Sequence, residues 1–141
     1  MNILRKLAWV YAAMFLATVL VSHVPSFTDA QGLLFGLYHV SPLIDAVHFI
    51  SGVIAVIVAL KSANWSATYF KFVGIIFGLD VLISLFLSRD LLETFSIFTN
   101  FGGSPNFSVT NILANSPHIL ISCFALWVGF KYSKKVLPQQ I

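Results

Sequence analysis

The stretch PLIDAVHFISGVIAVIVAL, residues 42–60, decides the class of this protein. A helix that crosses a bilayer needs about 20 mostly apolar residues. This run has that length, with one acid at its start and Lys61 at its end. Three further runs match it: LAWVYAAMFLATVLVSHV at 7–24, YFKFVGIIFGLDVLISLFL at 69–87 and SPHILISCFALWVGFKY at 116–132. Buried strands are too short to account for runs of this length. A spanning barrel needs alternating segments of about ten residues, and none is visible.

Composition agrees. The 141 residues are 58% hydrophobic and only 9% charged, with a mean hydropathy of +0.91. A soluble domain carries about 25% charged residues. The chain therefore reads as a single all-α domain, 1–141, with four membrane helices, and not as a soluble enzyme, a nucleic-acid reader or a disordered segment. The first run is preceded by Arg5-Lys6 and is longer than the 7–15 residues usual in a signal peptide, so it reads as a retained span.

The basic residues are distributed unevenly. Arg5 and Lys6 precede the first span, Lys61 and Lys71 bracket the link between the second and third, and Lys131, Lys134 and Lys135 follow the fourth. Arg89 lies on the other side with Asp29, Asp45, Asp90 and Glu93. The positive-inside rule predicts both termini in the cytoplasm. The outer links hold an apolar piece, Gly32–Tyr38, and a stretch with Leu91, Leu92, Phe95 and Phe98 on one helical face; both read as interfacial segments. Trp9, Tyr11, Trp65, Tyr69, Trp127 and Tyr132 read as an aromatic belt at the inner boundary. Cys123 reads as a small buried residue, and His23 and His39 as interfacial groups.

The second and fourth spans echo each other at an offset of 70: Leu43/Leu113, His48/His118, Ala55/Ala125, Val58/Val128 and Lys61/Lys131. This predicts a two-helix unit used twice in parallel. His48, Gly52, Ala55 and Ala59 share a helix face, as do His118, Ser122, Ala125 and Gly129. Such small residues let helices approach closely, and Gly74 with Gly78 adds a similar step. Ala13 with Ala17 is a further step, in the first span.

Asp80 is the one carboxylate near the middle of a span, where a charge is costly and marks a functional candidate. Ser84 and Ser88 continue its face. Counted from the boundary lysines, His48 and His118 stand about 20 Å up and Asp80 about 14 Å, so Asp80 can reach either histidine. Three roles fit. The polar groups fix helix register; or they relay a proton in a proton-coupled carrier or channel centred on Asp80; or His48 and His118 ligate a haem b as an electron carrier. No metal-ligand spacing, catalytic grouping or phosphate-binding loop is legible. The reading that results is a non-enzymatic structural or accessory subunit, associating with itself or with a larger membrane complex, with the carrier and haem readings as alternatives.

The motifs Asp45-x-x-His48-x-x-x-Gly52 and Asn115-x-x-His118-x-x-x-Ser122 resemble a family of small four-helix bacterial membrane proteins catalogued as a domain of unknown function. That family has Asn-x-x-His-x-x-x-Gly near the outer end of its second helix and a related His in its fourth. Asp45 stands here for its Asn, and Ser122 for its Gly. The resemblance covers about 7–132 and implies a four-helix fold and a bacterial plasma-membrane location, but no activity.

Overall fold

The computed structural model describes residues 1–88 and 103–137. Four helices carry the fold: α1 (Ile3–Ser22), α2 (Pro42–Lys61), α3 (Ala63–Leu87) and α4 (Val109–Val136). Each is long and apolar enough to cross a membrane. The architecture is an all-α four-helix bundle. The segment 91–98, expected at the interface, lies outside the described residues.

Each helix starts at a side-chain cap. Asn2 Oδ1 accepts from Leu4 N, and Ser41, Ser62 and Ser108 Oγ accept from Ile44, Trp65 and Asn111 N. These oxygens satisfy amides that have no partner within the helix. They also explain why the helices outrun the apolar stretches. α3 begins at Ala63 rather than 69, because Ser62 caps the first turn, Ala63-Asn64-Trp65-Ser66. α4 begins at Val109 rather than 116. Its first two turns, 109–116, interrupt the apolar residues with Thr110, Asn111, Asn115 and Ser116, and Pro117, a residue common at helix starts, sits inside the helix instead. Pro117 has no N–H for the Leu113 carbonyl, and the Ser116 hydroxyl donates to that carbonyl at 2.7 Å.

Lys71, expected at the end of a link, therefore lies two turns inside α3, with its ammonium 5.4 Å from the Phe130 ring centroid. The link itself is one residue. Ser62 N–H closes α2 on the Val58 carbonyl while its hydroxyl opens α3. Beside it, the Arg5 guanidinium donates to the carbonyls of Ala59 and Leu60, filling acceptors that the end of α2 leaves open.

α1 packs mainly on α2, and α3 mainly on α4. The small residues lie at these seams. A Cβ at Gly52 would stand 2.9 Å from Leu16 Cγ, and one at Gly129 would stand 2.7 Å from Lys71 N. Gly129 belongs to a π-helical stretch, Trp127–Tyr132, within α4. Ala55, Ala59 and Ala125 are fully buried. Between α1 and α2 the chain makes a small antiparallel hairpin, Leu33–Leu34 (β1) with Tyr38–His39 (β2), turning through Phe35 and Gly36 at positive φ.

Two expectations are corrected. Tyr11 and Tyr69 are core residues rather than belt residues: both are buried, with hydroxyls donating to the Ile121 and Ser51 carbonyls. A buried tyrosine hydroxyl needs such a partner, and here it ties one helix to another. Trp9, Trp65 and Trp127 do face outward. Cys123 is exposed on the outer face of α4, because the buried face is taken by Ser122 and Ala125.

Candidate functional site

The polar residues expected at depth come together. Asp80 of α3 and His118 of α4 meet, with His118 Nδ1 2.7 Å from Asp80 Oδ2. Because α3 starts early, Asp80 rises to the level of His118 instead of sitting a turn below it. The pair is partly shielded, with side-chain exposures of 18% for Asp80 and 28% for His118. His48 enters from α2. Its ring centroid is 5.9 Å from that of His118, tilted by 38°. His48 Nδ1 lies 2.9 Å from the Ile44 carbonyl one turn back, which makes Nδ1 the protonated nitrogen and leaves Nε2 as the acceptor.

Aromatic rings pack this centre. Phe77 meets His118 edge-to-face at 4.9 Å, lies 6.1 Å from His48 at a tilt of 56°, and stacks on Phe15 at 5.2 Å. Phe15 also lies 5.8 Å from His48. Neither phenylalanine carries a signal in the sequence that separates it from other core residues. A haem between His48 and His118 would have the two Nε2 atoms to bind, but its macrocycle would require Phe77 to leave. Among the described residues, no three His, Cys, Asp or Glu side chains are arranged to share a metal ion.

Hydroxyl and amide groups continue from the pair along α3 and α4. Asn115 Nδ2 donates to Ser84 Oγ at 2.8 Å, and Asn111 Nδ2 donates to the Asn106 carbonyl at 2.8 Å. Ser88 Oγ donates to the Ser104 carbonyl. Ser84, expected only as a continuation of the Asp80 face, is thus a joint between α3 and α4. The packing residues fall where the helices touch. Gly52 meets Leu16 of α1, Gly74 meets Leu126, and Gly78 faces Ser122. His23 and His39 are exposed. Among the described residues no buried side-chain polar atom lacks a hydrogen-bond partner.

Compared with known protein families, with curated proteins and with solved structures, the chain matches none.

Proposed function

We propose that this chain is a small multi-pass membrane protein that binds and releases a proton at the Asp80–His118 pair, working as a proton-coupled carrier or channel. The observation that supports this reading is the 2.7 Å contact between a carboxyl and an imidazole inside an apolar bundle, with a second imidazole alongside. An acid and an imidazole in contact exchange a proton at little cost, and such pairs recur in proton relays. The reading includes both termini in the cytoplasm, supported by the clustering of basic residues at the span ends, and a bacterial plasma-membrane location, which the family resemblance implies. It also includes membership of the resembled four-helix family and a parallel 2+2 repeat. The paired contacts Gly52–Leu16 and Gly78–Ser122 support the repeat, as does the facing of His48 and His118.

The test is proton flux into dye-loaded liposomes carrying the purified protein, driven by a potassium diffusion potential. The parent should conduct, and Asp80→Asn should abolish the signal. No flux in the parent, or unchanged flux in the variant, overturns the reading.

The second reading is an accessory subunit that associates with itself or a larger complex. Most of the small-residue faces are used inside the chain, by Gly52, Ala55, Gly74, Ser122 and Ala125. The Ala13 and Ala17 step of α1 is exposed and favours it.

A further inference from the structure

We propose that protons reach Asp80–His118 from one end of the bundle only, through the cavity between the end of α1 and the start of α2, with Asp45 as acceptor and His48 as relay. The inference rests on the reading of Asp80–His118 as a proton-binding site.

The cavity holds about 440 Å³ and is lined by Ser22, His23, Val40, Ser41, Pro42 and Asp45. Asp45 is half-buried in its wall. Ser22 Oγ donates to Asp45 Oδ1 at 2.8 Å, and His23 Nδ1 lies 3.8 Å from Asp45 Oδ2. His48 follows Asp45 by three residues on the same helix, so the two share a face one turn apart. The next group inward is His118, its ring 5.9 Å from that of His48, and then Asp80. Titratable groups therefore follow one another from the cavity wall to the buried pair: Asp45, His48, His118 and Asp80.

The chemistry balances at each step. Asp45 gives up one proton to His48 Nε2, which becomes an imidazolium while Nδ1–H keeps the Ile44 carbonyl. His48 releases the proton from Nε2, through water, to Nε2 of His118. His118 then passes its Nδ1 proton to Asp80 Oδ2. The imidazole is left neutral and the carboxyl protonated.

Among the described residues, the other routes offer no carboxylate and no imidazole. Toward the lysine-rich end, Tyr11 packs 5.9 Å from Phe15 and 5.0 Å from Phe70, and Phe15 stacks on Phe77. The tyrosines facing this layer, Tyr11 of α1 and Tyr69 of α3, have their hydroxyls tied to carbonyls. Along α3 and α4, Ser84, Asn111 and Asn115 are hydroxyl and amide groups held in hydrogen bonds.

The test uses the full chain, inserted in one orientation in liposomes, with a pH jump on either side. The readout is the infrared carboxyl band of Asp80, identified by its loss in Asp80→Asn. The band should follow pH on the α1–α2 cavity side. Asp45→Asn should slow the response by about 100-fold, the lower end of what a positioned proton-transfer group contributes, and Asp45→Glu should restore it. A band that follows pH equally from the lysine-rich side overturns this inference alone, as does an unchanged rate in Asp45→Asn. A carboxyl that responds from neither side overturns the proton-binding reading beneath it.

Discussion

A Cβ placed on Gly74 would stand 2.8 Å from the backbone nitrogen of Leu126. α3 and α4 thus touch backbone to backbone, below the level where Asp80 meets His118. The close approach and the polar contact are parts of one seam, since the pair can form only if the helices lie this near.

Gly74→Ala should therefore destabilise the protein although alanine is the better helix former. The expected loss is about 1–3 kcal/mol, typical of a methyl forced into a filled space. Gly78→Ala is the control, because its Cβ would meet Ser122 Cβ at an ordinary 3.7 Å. It should be neutral or slightly stabilising. Unfolding in a denaturant–detergent series distinguishes them, and equal losses would show that α3 and α4 are further apart.

Asp80 and His118 should be energetically coupled. A double-mutant cycle with Asp80→Asn and His118→Leu should give an interaction of about 0.6–2 kcal/mol, the range for interhelical hydrogen bonds in membranes. Additive losses would mean that the two side chains do not interact.

Arg5 should matter for more than orientation. Arg5→Ala leaves the Ala59 and Leu60 carbonyls without the guanidinium. It should cost about 1–2 kcal/mol, in the range for helix-end partners, while keeping the topology. Lys at this position should recover only part, since it lacks the forked donors. Stability of the three forms in the same detergent checks the order.

Both termini should be cytoplasmic. On a Cys123→Ala background, Lys134→Cys should react with a membrane-impermeant thiol reagent only after cells are opened. Ser133 is unsuitable for this label, being buried with its hydroxyl on the Gly129 carbonyl. Labelling of intact cells would invert the topology.

Haem-replete expression should give purified protein without a Soret band, because Phe77 packs against both imidazoles. A bis-imidazole spectrum would mean that Phe77 moves aside.

The four spans were legible because a bilayer-length apolar run has few other readings. The meeting of Asp80 with a histidine was legible too, from counting residues to the boundary lysines. The choice of His118 was not, because both histidines stand at one counted height and the packing of α3 mainly on α4 decides between them. The level of Asp80 was missed because the start of α3 is set by a single serine hydroxyl at Ser62, a weak signal beside a long apolar stretch. Likewise Ser108 starts α4 seven residues before the apolar run. Tyr11 and Tyr69 were misplaced for another reason: distance from a boundary says nothing about which side of a helix a ring faces. The π-helical stretch at Trp127–Tyr132 departs from the period that any helical reading assumes.

Ser62 has a mechanical meaning. Capping two helices with one residue makes it a fixed pivot, and Arg5 braces the same corner. The opposite ends of those helices, Pro42 and Leu87, share no such residue. A motion that parts the two helix pairs about Ser62, like the jaws of a pair of tweezers, would travel furthest at the end where Asp45 lies, and the deeper His48 and His118 rings would separate less.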